Sequence, residues 1–144
     1  MQSWARWTCD GTERTLTANG IPDHPVGTFP NSGNPNSIST QSVSANYTLN
    51  PEKTSTSTTL GGPRGVTGYI LNGVKIDAGT AGTCSDNGTS CAMAPPMQGN
   101  WSIEALGQTS FNFGDDANHA HVQPTGAYHY HGIPEGFVSQ LDKG

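Results

Sequence analysis

The sequence predicts an all-β domain, either an antiparallel β-sandwich or an irregular β domain rich in loops, with little helix. Three observations carry this. Short runs of alternating polar and apolar residues recur between Gly, Pro and Asn clusters. Turn formers are abundant, with 19 Gly and 10 Pro in 144 residues. Helical periodicity is nearly absent, and the best helical candidate, Trp101–Leu106, is short.

In chain order, Arg14–Ala18 (RTLTA) alternates and reads as a strand. The stretch from Gly20 to Asn36 is dense in Pro, Gly and Asn and reads as a long ordered loop or a binding loop. Ser42–Leu49 (SVSANYTL) is a second strand, and the Ser/Thr tract Thr54–Thr59 is a solvated strand edge or loop. Gly68–Ile76 (GYILNGVKI) places Asn72-Gly73 between two apolar runs, the favoured pair for a type I′ hairpin turn. No internal repeat is visible, and the length suits one domain, 1–144.

Composition narrows the function. Charged residues are 12% of the chain, about half the usual ~25%. Three Trp, four Tyr and four Phe argue for a folded chain. The net charge is −5, and Arg6, Arg14, Lys53, Arg64, Lys75 and Lys143 stand singly. A nucleic-acid partner is therefore excluded, because such binding needs a clustered basic surface. No stretch approaches the ~20 apolar residues of a membrane span. GGPRG at 61–65 lacks the Lys-Ser/Thr of a phosphate loop, and no G-x-S-x-G elbow occurs.

Cysteines and sequons point to an extracellular or periplasmic, secreted protein. Cys84 and Cys91 bracket the turn-forming SDNGTS, so a disulfide closing that loop is expected. Asp86 and carbonyls of the same loop are a weaker candidate for calcium. Cys9 is the odd thiol. Asn46, Asn87 and Asn100 head N-x-S/T sequons and are candidate glycosylation sites. Trp4, Trp7 and Trp101 read as core residues, with a sugar platform the alternative.

Four of the five histidines fall in HAHVQPTGAYHYH, from His119 to His131. Residues two apart on a strand share a face, about 6.6 Å apart. His119 and His121 form one such pair, and His129 and His131 the other. Pro124 fits position i+1 of a type I turn and Gly126 the left-handed position after it. That is the three-residue hairpin loop with a G1 bulge, which pairs Gln123 with Ala127. His121 then opposes His129, His119 opposes His131, and all four imidazoles share a face. Opposed Cβ atoms lie about 4.5–5.5 Å apart, close enough for bonds of about 2.0–2.1 Å to one ion. Imidazole suits Zn, Cu, Fe and Ni, and Cu or Zn is the expected cofactor. Asp116, with Asp115 beside it, is a candidate ligand or orienter of a ring N–H. His24, in IPDHPVG, is a candidate fifth ligand, a substrate contact or a hydrogen-bonded loop histidine. Tyr128 and Tyr130 alternate with the histidines and should face the core. The rival reading is a set of hydrogen-bonded histidines without metal.

GAYHYHGIPEG, with the upstream DDANHAHVQPTG, resembles the YHYH-domain proteins, which are named for that tetrapeptide. NGIPDHPVGTFPNSGNPN and GYILNGVKI look like further segments of the family, so the resemblance runs from about Ala18 to Gly136. It implies an exported protein with a suspected metal role and no settled activity. Family members look longer, which implies that a C-terminal portion of the domain is missing here. Three function classes follow: an exported metal-binding domain, a metal-dependent enzyme (hydrolase or copper oxidoreductase), and a self-assembling extracellular fibre or matrix subunit forming a homo-oligomer or filament.

Overall fold

The structure is a computed structural model that describes residues 1–58, 66–77, 79, 82–87, 89–93, 96, 98–107, 109 and 111–141. GGPRG at 61–65, Thr59 and Lys143 lie outside the described residues. The chain is all-β and rich in loops, with ten short strands and one short helix among the described residues. Its strands form small separate sheets, the irregular member of the two expected architectures.

The first sheet is an antiparallel meander of β1 (Ala5–Cys9), β2 (Glu13–Ala18) and β3 (Val43–Thr48). β2 and β3 fall on the two expected strands. β1 was not expected, because ARWTC leaves only one residue partly covered and shows no apolar stripe. Trp7 ties this sheet to the next: its Nε1 donates to Leu71 O at 3.0 Å. Its ring stacks on Tyr47, and the Arg14 guanidinium lies 4.9 Å from the ring centre. Trp4 and Trp101 are exposed. Trp7 is half-covered, so none of the three tryptophans is a core residue.

The central sheet orders β4 (Gly68–Tyr69), β5 (Lys75–Ile76), β10 (Tyr128–Tyr130) and β9 (Ala120–Val122). β5 and β10 run parallel, and the other pairs are antiparallel. The expected hairpin at Asn72-Gly73 is present, but its turn is not type I′. Only Gly73 has positive φ, at 79°. Ile70 N donates to Val74 O and Gly73 N to Ile70 O. This is the three-residue loop expected at the other hairpin. Asn72 keeps an ordinary φ, and its Oδ1 accepts from Val74 N at 3.0 Å. Gly73 is required twice over, since a Cβ there would also overlap the Ala18 side chain.

The third sheet holds β7 (Cys91–Ala92), β6 (Thr83–Cys84) and β8 (Trp101–Ser102). The best helical candidate, Trp101–Leu106, begins instead with a strand, with Trp101 opposite Cys84 and Ile103 N bonded to Gly82 O. The one described helix, α1 (Glu135–Leu141), follows Pro134, whose carbonyl accepts from Phe137 N and Val138 N. Phe137 is its sole buried side chain. Seven residues with one apolar anchor carry no readable period, although Pro then Glu is a good helix start. No described helix is long and apolar enough to cross a membrane.

The main core is one face of the central sheet: Val74, Ala120, Val122, Tyr128 and Tyr130, with Phe29, Ile38, Ile70 and Ile76 against it. The loop from Gly20 to Asn36 is ordered by side-chain amides. Asn34 Nδ2 and Asn36 Nδ2 both donate to Val122 O, at 3.0 and 2.8 Å, and Asn31 Nδ2 donates to Gly114 O. The Asn34 and Asn36 amides cap the outer strand β9, where another strand could otherwise pair.

Candidate metal centre

The turn between β9 and β10 has the expected geometry. Gln123 N bonds Ala127 O at 3.0 Å, Gly126 N bonds Gln123 O at 2.8 Å, and Gly126 has φ 83°. The register is therefore Tyr128 with Val122, His129 with His121, and Tyr130 with Ala120. Period-2 alternation sends Tyr128 and Tyr130 into the core and His121, His129 and His131 to the other face.

The three imidazoles converge through their Nε2 atoms. His131 Nε2 lies 3.0 Å from His129 Nε2 and 3.3 Å from His121 Nε2. All three ligand atoms fall within 4.8 Å of one another. Two ligands on a tetrahedral ion with 2.0–2.1 Å bonds stand about 3.3 Å apart, close to the two contacts that His131 makes. The outward nitrogens fix the tautomers of two rings. His121 Nδ1 donates to Asp115 Oδ1 at 2.6 Å, and His129 Nδ1 donates to Ala127 O at 3.2 Å. A carbonyl oxygen only accepts, so His129 Nδ1 bears the proton and its Nε2 a lone pair. The Asp115 carboxylate likewise places a proton on His121 Nδ1.

Burial decides the charge of two rings. His129 is 2% exposed. Desolvation, then repulsion from His121 and His131, pushes its pKa down to about 2. His131 falls to about 4, by burial first and His121 next, against the opposing pull of Asp115 and Asp77. Both are neutral near pH 7, the form a metal needs. Phe113 stacks on His121 with ring centres 5.7 Å apart and shields that side.

The other expected site residues go elsewhere. His119 is not in the cluster. It has φ 56°, left-handed, because its N–H closes a turn onto Asp116 O. Its carbonyl still accepts from His131 N at 2.7 Å, so the backbone register holds. The rotation carries the ring away, and Nδ1 bonds Ile133 O at 2.8 Å. The face of four rings is therefore a face of three. His24 sits behind the sheet, with Nδ1 on Pro25 O at 2.9 Å and Nε2 on Tyr130 OH at 2.6 Å. Both its nitrogens are used, as in the hydrogen-bonded alternative. Asp116 accepts from Tyr128 OH at 2.7 Å, Gly27 N at 2.9 Å and Asn118 N at 2.8 Å. It anchors the core face, and Asp115 is the carboxylate at the rings.

Lys75 and Asp77 were not anticipated beside the site. Lys75 Nζ bonds Asp77 Oδ2 at 2.9 Å and Gln123 Oε1 at 2.8 Å. Their alternation in VKID was visible, but the parallel pairing of β5 with β10 was not. Cys84 and Cys91 form the expected disulfide across β6 and β7. Asp86 Oδ1 accepts from Trp101 Nε1. Cys9 is free and exposed, and Asn46, Asn87 and Asn100 are all exposed.

Fold and site together define a loop-rich β domain, stapled by a disulfide, that displays a three-histidine cluster on one hairpin. A family model described as YHYH protein matches residues 44–144, and the chain belongs to that family. The stretch from Ala18 to Val43, expected to share the resemblance, precedes the matched residues. Nothing among the curated proteins or the solved structures matches the chain.

Proposed function

We propose that this chain is an exported transition-metal-binding domain that holds one zinc or copper ion through Nε2 of His121, His129 and His131. The observation that carries the reading is the convergence of three Nε2 atoms, with 3.0 and 3.3 Å contacts to His131. With Nδ1 of His129 protonated and its ring kept neutral by burial, His129 Nε2 aims a lone pair at His131 Nε2, 3.0 Å away. A buried lone pair set among two further ring nitrogens is the donor that a transition-metal ion takes. The Asp115–His121 bond supports the same reading, since metal-ligating histidines almost always donate their other N–H to such a partner. Export is supported by the disulfide and by three exposed sequon asparagines.

The ligand count favours an enzymatic role as a second reading. Three protein ligands leave one tetrahedral position for water or a substrate atom, as catalytic zinc sites do. A bound ion would polarise that water or a substrate oxygen. His121, His129 and His131 would hold the ion, and Asp115 and Ala127 O would fix their rings.

Metal analysis tests the proposal on protein purified without chelator and supplied with zinc and copper. The wild type and His119→Ala are expected to carry about one ion per chain, and His121→Ala, His129→Ala and His131→Ala well under a tenth of that. A metal-free wild type overturns the reading, as does a His119→Ala variant that loses its ion while the other three variants retain theirs.

A further inference from the structure

Two buried side-chain atoms among the described residues lack a hydrogen-bond partner: Nδ1 of His131 and Oδ1 of Asp77. The sheet brings these residues together. β5 runs parallel to β10, with Lys75 opposite His129 and Ile76 opposite Tyr130. The next pair along is Asp77 and His131, and Asp77 N bonds Tyr130 O at 3.0 Å to hold it. Ile76 and Tyr130 belong to the core face, so their neighbours Lys75, Asp77, His129 and His131 stand on the histidine face.

Asp77 is fully buried. Its Oδ2 is saturated by Lys75 Nζ at 2.9 Å and Gln123 Nε2 at 3.0 Å. Oδ1 is left over, and an unsatisfied buried carboxylate oxygen is costly. His131 presents the complementary need. Of the three clustered rings, His121 is oriented by Asp115 and His129 by Ala127 O, whereas His131 Nδ1 has no orienter. No direct bond joins the two residues, but one water between the two atoms would satisfy both, and buried waters occur where polar groups are left over in this way.

We infer that Asp77 is the positioning residue of His131: its Oδ1 accepts, through one buried water, the proton on Nδ1 and so fixes Nε2 as the metal-facing nitrogen. Each clustered ring then has its own orienter. Lys75 and Gln123 act one step further out, holding Oδ2 so that Oδ1 stays beside the ring. This rests on the metal reading above and adds a residue to it.

The test combines zinc affinity by chelator competition with nitrogen-15 spectra of the imidazoles, on wild type, Asp77→Ala and Asp77→Asn. Removing an outer partner of a metal ligand costs about 10- to 100-fold in affinity, the loss expected for Asp77→Ala. Asp77→Asn retains an acceptor for the water while losing the charge that pairs with Lys75. It should recover most of that affinity and keep a slowly exchanging Nδ1–H on His131. If Asp77 acted only through its ion pair with Lys75, the Asn variant would be as weak as the Ala variant, which overturns the inference. So does an Asp77→Ala affinity within about threefold of wild type, far short of an outer-partner loss. Should Asp77→Ala fail to fold, the wild-type spectrum decides. An Nδ1–H of His131 with a cross-peak to bound water supports the inference, and an Nδ1–H without that cross-peak, or an Nε2–H tautomer, overturns it. A wild type that takes up no zinc overturns the metal reading and this inference together, whereas zinc uptake indifferent to Asp77 overturns this inference alone.

Discussion

Lowering the pH from 7 to 5 is expected to remove a few kcal/mol from the stability of the metal-free fold. Burial holds the pKa of His129 at about 2 and that of His131 at about 4. In the unfolded chain both rings titrate near 6.5. Over the interval between, the unfolded state binds more protons than the folded state, so stability is present above pH 6.5 and lost as the pH falls towards the folded values. Each ring then costs about 1.4 kcal/mol per pH unit, or about 2 kcal/mol between pH 7 and 5 once the shallow start is counted. Two rings give about 4 kcal/mol, a large part of the roughly 5–15 kcal/mol that holds a domain together. Urea unfolding in the presence of chelator, at pH 7 and pH 5, measures this directly. His129→Gln cannot take up the proton, so its pH dependence should be about half that of wild type over the same interval. Stabilities equal within about 1 kcal/mol at the two pH values, or a His129→Gln variant with the full wild-type dependence, would refute the burial argument.

Two further outcomes are expected. Asp115→Ala removes the acceptor at His121 Nδ1, and zinc competition titrations should show affinity about 10- to 100-fold weaker with no change in the β-sheet circular dichroism. Gly126→Ala places a Cβ at φ 83° and over Ser39 Oγ. It should cost at least roughly 1–2 kcal/mol in denaturant melts, and weaken metal uptake as well, because the same turn sets His121 opposite His129.

What could be read from the sequence divides along a physical line. The β9–β10 hairpin was legible because everything that fixes it is local: Pro124 and Gly126 choose the loop, the loop chooses the register, and the register chooses the face. The same rule misread Asn72-Gly73 only in turn type. Asn72 uses its side chain to cap Val74 N and to reach Asp23 and Tyr130, and leaves the left-handed position to Gly73 alone. His119 escaped because a local turn at Asp116 outweighed strand alternation one residue beyond the ladder. The pairing of β5 with β10 joins residues 54 positions apart. No periodicity encodes that separation, so Lys75 and Asp77 could not be placed beside the rings from sequence.

The alternation of Tyr and His on β10 has a consequence beyond sorting side chains to two faces. A metal-binding histidine must be held to within a fraction of an ångström, and a strand three residues long has little rigidity of its own. Tyr128 and Tyr130 supply it from behind. Their rings fill the core, and their hydroxyls reach three different segments: Asp116 ahead of β9, His24 in the long loop and Asn72 in the other hairpin turn. Both hydroxyls are held neutral, their pKa values raised by burial first; Tyr128 OH donates to Asp116, and Tyr130 OH bonds the Nε2 of His24 while accepting from Asn72 Nδ2. Asp116 and His24 are not in the cluster of three rings, yet each grips the far side of the strand that carries two of those rings. His24 and Asp116 thus back the strand from behind, whereas Asp115, next to Asp116 in the chain, meets a clustered ring on the other face.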